Sequence, residues 1–147
     1  MIAIGSDHAG YELKQQLIAY FKEKGIPYQD FGTDGLASVD YPDYGIKVGE
    51  AVVSGNYAFG IVICGTGIGI SISANKVKGV RAALIYDENT ARLAKQHNNA
   101  NVIALGGRTH PFELAVKLVE TFRNETYEPR HQKRLDKLSI YEKEHCK

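Results

Sequence analysis

The residues best placed to do chemistry form one stretch, Gly60 to Lys76. An apolar run, Ile61 to Ile63, ends in a thiol, Cys64. Gly65, Gly67 and Gly69 then turn the chain into a small-residue helix reaching Lys76. That arrangement sets a nucleophile or base beside a row of free backbone N–H groups at a helix N-terminus, where negative charge is stabilised. A helix N-terminus and nearby cations favour the thiolate, which can attack as a nucleophile or take a proton from carbon. Two simpler roles stay open: a tight strand–helix turn needs glycine for its own sake, and cysteine packs as a small hydrophobe. The spacing does not fit a dinucleotide fingerprint. The third glycine slot holds Ile70 counting from Gly65, or Ile72 counting from Gly67, and the loop follows the third strand rather than the first. Nor does a Gly-Lys-Ser/Thr phosphate loop occur.

Four other groups of residues carry comparable potential. Asp7 and His8 follow the first apolar run; Asp7 or Ser6 can cap a helix there, and can touch a ligand as well. His97 and Asn98 open His-Asn-Asn-Ala-Asn, which reads as a helix end with Asn tolerating left-handed backbone, or as an acid/base with an amide beside it to hold a hydroxyl. Arg108 follows the fifth apolar run. Arg130 and Arg134 flank His131 and share a helix face, where two guanidinium forks suit a phosphate; a solvated face with Glu142 and Glu144 is the other reading. His8, His97, His110, His131 and His145 are scattered, with no zinc-type spacing, and no Gly-x-Ser-x-Gly elbow exists.

The elements that must position these residues follow from periodicity. Apolar strand runs lie at 1–5, 28–31, 58–64, 80–86 and 101–105. Helical patterns lie at 11–24, 44–53, 70–76, 88–96, 111–123 and 130–144. Strand and helix alternate five times, which predicts a Rossmann-like α/β fold: a five-stranded parallel sheet with helices on both faces. The expected strand order is the flavodoxin-like 2-1-3-4-5. It puts strands one and three side by side at the switch point, where ligands bind outside the strand C-termini. The turns meeting there are Ser6–Gly10 and Cys64–Gly69.

The chain of 147 residues reads as one domain, with no repeat or linker. At this size a core buries roughly 70% of the unfolded surface, so no structural metal or disulfide is needed. A net charge of +1 argues against nucleic acid or a membrane surface as partner. Two unrelated cysteines, Cys64 and Cys146, and no leader or spanning pattern, lead to a cytoplasmic expectation.

Taken together, Asp7-His8-Ala-Gly, Asp40-Tyr41-Pro42, Ile63-Cys64-Gly65-Thr66-Gly67-Ile68-Gly69-Ile70-Ser71, Ala74-Asn75-Lys76, His97-Asn98 and Arg130-His131-x-x-Arg134 resemble the B-type ribose-5-phosphate isomerases, which share a superfamily with the galactose-6-phosphate isomerases. The resemblance covers essentially the whole chain. It implies interconversion of ribose 5-phosphate and ribulose 5-phosphate without metal or cofactor, with a six-carbon aldose 6-phosphate (allose or galactose) as the alternative substrate. Carried over, Cys64 is the carbon base and Thr66 assists proton transfer at the oxygens. The N–H groups from Gly65 through Gly67 and Ile68 to Gly69 hold the enediolate. His97 opens the sugar ring with help from Asp7, while Asn98 and Tyr41 contact the sugar. His8, Arg108, Arg130 and Arg134 take the phosphate end, with His131 beside them. The resemblance also implies a homodimer or dimer of dimers with sites shared between chains, the C-terminal helix (about 130–145) contacting a partner subunit. Ser6 stands where some relatives have Cys, a departure that touches no assigned role. A non-catalytic phospho-ligand sensor on the same scaffold is the competing reading; a base beside an anion hole argues against it.

Overall fold

The apolar runs assemble into one sheet in which every pairing is parallel. The structure is a computed structural model and describes residues 1–145; Cys146 lies outside the described residues. The elements are β1 (Ile2–Ser6), α1 (Tyr11–Lys24), β2 (Tyr28–Asp30), α2 (Tyr41–Val53), β3 (Phe59–Cys64), α3 (Ile68–Asn75), β4 (Ala82–Leu84), α4 (Glu88–Gln96), β5 (Val102–Gly106), α5 (Phe112–Arg123) and α6 (Gln132–His145). Short 3-10 turns cover His8–Gly10 and Pro129–His131.

Side chains alternate across the sheet, and each face has its own core. Ile2, Ile4, Ile61, Ile63, Ile103 and Leu105 pack with Leu17 and Phe21 of α1 and Leu118 and Phe122 of α5. Ala3, Val62, Cys64, Val102 and Ala104 point the other way, onto Val48 and Val52 of α2 and Ile70 and Ala74 of α3. This period of two, buried on both sides, is what makes β1, β3 and β5 read as unbroken apolar runs.

The strand order is β2-β1-β3-β5-β4, which corrects the expected 2-1-3-4-5: the last two strands are exchanged. Burial explains it. All five residues of β5 are buried, whereas β4 is three half-buried residues in place of the seven expected at 80–86. The longer apolar strand takes the place beside β3, and the short one takes the edge. Asn75 finishes that edge by offering its side-chain amide to both backbone groups of Ala82. The switch point between β1 and β3 is as expected, with Ser6 in register with Ile63. The exchange has a consequence for the site. It brings the end of β5, and hence Arg108, directly beside Cys64, which is in register with Gly106.

Helix boundaries differ where first turns are unusual. α2 starts at Tyr41 rather than Tyr44, because Pro42 fits a first turn that has no use for its missing N–H. α3 starts at Ile68, immediately after Gly67 in left-handed backbone. α1 carries a lysine within its buried stripe: Lys14 lies three, four and seven residues before Leu17, Ile18 and Phe21, is fully buried, and its Nζ contacts both oxygens of Asp30 at 2.7 and 2.8 Å. Asp30 also accepts from Gly32 N–H, while Ser6 exchanges backbone hydrogen bonds with Gly32 and Thr33. The ion pair thus ties the 31–40 loop to the end of β1, at the rim of the crevice.

Candidate active site

Three loops meet backbone to backbone at the C-terminal ends of β1, β3 and β5. Asp7 N–H donates to Ile63 O, Gly107 N–H to Cys64 O at 2.7 Å, and Arg108 N–H to Gly65 O at 2.9 Å. Such close approach excludes side chains. A β-carbon on Gly107 would strike the Ala9 carbonyl, and one on Gly67 would stand 2.6 Å from Leu84 Cδ1 and 3.0 Å from Leu105 O. Gly67 also has φ +84, which L side chains rarely adopt.

This packing delivers Cys64 to the start of α3. Gly67 N–H donates to Cys64 Sγ at 3.2 Å, and Ile68 N–H to Thr66 Oγ1 at 3.2 Å. Gly69 and Ile70 follow in the first turn, where N–H groups have no intrahelical carbonyl to bond. Sulfur and free donors therefore share one small space, an arrangement complementary to negative charge on sulfur or on a nearby oxygen. Cys64 is a buried free thiol. Asp7 is buried and caps the 3-10 turn through Gly10 N–H at 3.0 Å. Arg108 lays Nη1 3.2 Å from where a β-carbon on Gly65 would stand, and the Tyr41 ring lies against Gly69. His8 Nδ1 accepts from Val39 N–H at 3.1 Å, so its neutral ring carries the proton on Nε2, as a donor. Ile68 is more than half exposed at the rim.

The remaining candidates gather at the other end of the sheet. His97 ends α4, and Asn99 takes φ 42, the left-handed helix end that its sequence suggests. Glu128 N–H donates to Gln96 O at 2.9 Å, which docks the 128–131 turn on the end of α4. The His97 and His131 rings lie 4.3 Å apart, and Arg134 Nη1 approaches His131 Nδ1 at 3.3 Å. Arg130 Nη2 pairs with Glu128 Oε1 at 3.0 Å. Burial pushes the His131 pKa down from its ordinary value, and the charges of Arg130, His97 and Arg134 push the same way against Glu128. A cleft of about 440 Å³ is lined by His97, Asn98, His131, Arg134, Leu135 and Leu138.

The structure thus brings Asp7, His8, Tyr41, Cys64, Gly65, Thr66, Gly67, Ile68, Gly69 and Arg108 to one end, and His97, Asn98, Arg130, His131 and Arg134 to the other. β5 runs between the two ends, and five residues of strand span about 16 Å. Sequence reasoning missed Glu128, whose only signal is its place three residues before His131. It also missed Val39, whose contribution is a backbone N–H and leaves no trace in residue type.

Comparison with known proteins gives a consistent result. The sequence model described as Ribose/Galactose Isomerase matches residues 2–138. Ribose-5-phosphate isomerase B of Escherichia coli is 42% identical over 142 residues, 96% of this chain and 95% of that protein. The structure of Clostridium thermocellum ribose-5-phosphate isomerase B superposes with a TM-score of 0.95 at 49% identity, covering 98% of both chains. That of Mycoplasma genitalium ribose-5-phosphate isomerase B, solved with bound ribulose 5-phosphate, superposes with a TM-score of 0.91 at 43% identity, covering 97% of this chain and 96% of the other. The expected five-stranded α/β fold is the one these structures share, and the chain belongs to the ribose/galactose isomerase family.

Proposed function

We propose that this protein is an aldose–ketose isomerase that interconverts D-ribose 5-phosphate and D-ribulose 5-phosphate. The observation that carries the reading is Cys64 Sγ facing Gly67 N–H at 3.2 Å at the start of α3. Cys64 takes the proton from C2 of the open-chain aldose. The electron pair moves toward the C1 carbonyl, and charge builds on O1. First-turn N–H groups of the glycine loop are preoriented for that charge, the kind of donor whose loss costs roughly 3–4 kcal/mol. The proton returns at C1, and Thr66 moves the hydroxyl proton between O2 and O1. Only protons are transferred, so the reading calls on no cofactor.

Ring opening needs an acid at the ring oxygen, the role given to His97, with Asp7 helping and Asn98 holding a hydroxyl. Arg130 and Arg134 bind the phosphate, aided by His8, Arg108 and His131. His97, Asn98, Arg130, His131 and Arg134 cannot meet Cys64 within one chain across about 16 Å of strand, so the reading includes a second copy that completes each site, in a homodimer or dimer of dimers. Tyr41 against Gly69, and Ile68 and Ile72 on α3, are exposed and give that copy an apolar surface. α6 is the element assigned to the partner contact. The reading also places the protein in the cytoplasm, where Cys64 stays reduced; among the described residues no helix is long and apolar enough to cross a membrane.

A coupled assay with ribose 5-phosphate, allose 6-phosphate and galactose 6-phosphate tests substrate choice, with the highest kcat/KM expected for the pentose. Mixing inactive Cys64→Ala with inactive His97→Gln subunits tests sharing. Random reassociation into dimers restores roughly a quarter of wild-type sites if each site draws on both chains, and none if it does not.

A further inference from the structure

We propose that His97, Glu128 and His131 form a facultative site for a divalent transition-metal ion of the zinc class, and that an ion bound there shuts off the isomerase. The metal site stands on its own geometry; the inhibition rests on the function proposed above. Each of the three residues offers a ligand atom, and the three atoms lie within 4.8 Å of one another. Two imidazoles and a carboxylate are a donor set that Zn²⁺ and Co²⁺ accept, with a fourth position open to water.

A second observation points to an occupant. His131 is buried, and its Nε2 has no hydrogen-bond partner. The nearest carboxylate oxygen, Glu128 Oε1, is 3.8 Å away, beyond hydrogen-bond reach. An ion between His131 Nε2 and the Glu128 carboxylate would supply the partner that the buried nitrogen lacks. Metal–ligand bonds of roughly 2.0–2.2 Å require ligand atoms about 3.3 Å apart, so the side chains must close up. The backbone is already positioned, because Glu128 N–H is bonded to Gln96 O beside His97. His97 and Glu128 are only half-buried, which leaves their side chains room to turn.

Two guanidinium groups oppose the ion, and they make the proposal specific. Arg130 contacts Glu128 through Oε1, which leaves Oε2 for a metal. Arg134 approaches His131 Nδ1, so the resting ring carries its proton on Nε2. Metal at Nε2 moves that proton to Nδ1, with none released, and Arg134 must swing away. Arg134 therefore competes with the ion, although it helps to hold phosphate. Metal and sugar phosphate then exclude each other, since both require His97 and the surroundings of His131.

The test uses EDTA-stripped full-length protein titrated with Zn²⁺ by calorimetry and with Co²⁺ by visible absorption. One ion per chain is expected, with the intense d–d bands of low-coordinate cobalt. Glu128→Gln should weaken binding by at least about tenfold while isomerisation persists and escapes Zn²⁺ inhibition. Arg134→Gln should bind Zn²⁺ more tightly although it binds inorganic phosphate more weakly. Absence of cobalt bands, binding that survives Glu128→Gln unchanged, or binding abolished by Cys64→Ala instead, would each overturn the proposal. The binding arms do not depend on catalysis, so failure of the isomerase assay leaves them readable.

Discussion

The two ends of the sheet are built on different principles. The C-terminal end is made of backbone: three loops touch through carbonyls and N–H groups, Cys64 and Asp7 are buried, and a β-carbon on Gly67 or Gly107 would collide. The opposite end is made of side chains. Arg130, Arg134 and Asn98 are exposed, and His97 is half-buried. Charge developing on a sugar oxygen requires donors that do not reorganise during the reaction, which backbone in a packed turn supplies. A phosphate remote from the reacting carbons can be held by long, mobile guanidinium groups. On the proposed function, rigidity is concentrated around the proton transfer at Cys64, and adaptability around the guanidinium groups of Arg130 and Arg134.

The largest expected effect separates the ends most sharply. Cys64→Ala removes the proposed base and should lower kcat by about 10³-fold or more, within the range or beyond it for a lost general acid or base, while stability changes by only about 1 kcal/mol. Normal turnover of ribose 5-phosphate by that variant would remove the mechanism. Asp30→Asn strands the fully buried Lys14 ammonium. Asp30 is itself exposed to solvent, so urea unfolding should show a loss of about 1–3 kcal/mol, the cost of leaving one buried group poorly satisfied; an unchanged midpoint would mean that the 31–40 loop does not depend on the pair.

Gly67→Ala perturbs the same end through geometry alone. Strain at φ +84 should cost about 1–3 kcal/mol in stability, and displacement of the N–H facing Cys64 should lower kcat more than it changes KM. At the other end, Arg134→Gln should do the reverse, raising KM by about tenfold or more through loss of a charge-assisted contact worth roughly 1.5–3 kcal/mol, with kcat largely kept. A kcat effect as large as that of Gly67→Ala would blur the distinction between the two ends.

The smallest effect is on acid stability. The His131 pKa is depressed in the folded protein, first by burial and then by Arg130, His97 and Arg134. The folded state therefore binds fewer protons than the unfolded chain just below the ordinary histidine value of about 6.5. Its contribution is fully present above that value and is lost as pH falls through it toward the depressed one. In EDTA, the urea midpoint of the wild type should fall more steeply between about pH 7 and pH 5 than that of His131→Gln. Parallel slopes would show that the ring is not held neutral by its surroundings.

What the sequence determined by itself was local. Helical periodicity placed α1 at Tyr11–Lys24, Asp87 starts α4 by accepting from Thr90 N–H three residues on, and the asparagines after His97 supplied a left-handed exit at Asn99. The run into Cys64 and its alternating glycines marked the strand–turn–helix unit, and alternation of elements put β1 beside β3. These features depend on residues a few positions apart, whose steric and hydrogen-bonding preferences act before the chain is packed. Tertiary structure decided the rest. β5 displaced β4 from the place beside β3 because its whole length could be buried, a competition between segments that neither sequence shows alone. Lys14 became a buried clamp because Asp30 arrived opposite it. His97 and Cys64, both plausible acid/base groups, ended on opposite ends of one sheet. His97, Glu128 and His131, with no metal-like spacing between them, converged because the turn at 128–131 docks on the end of α4.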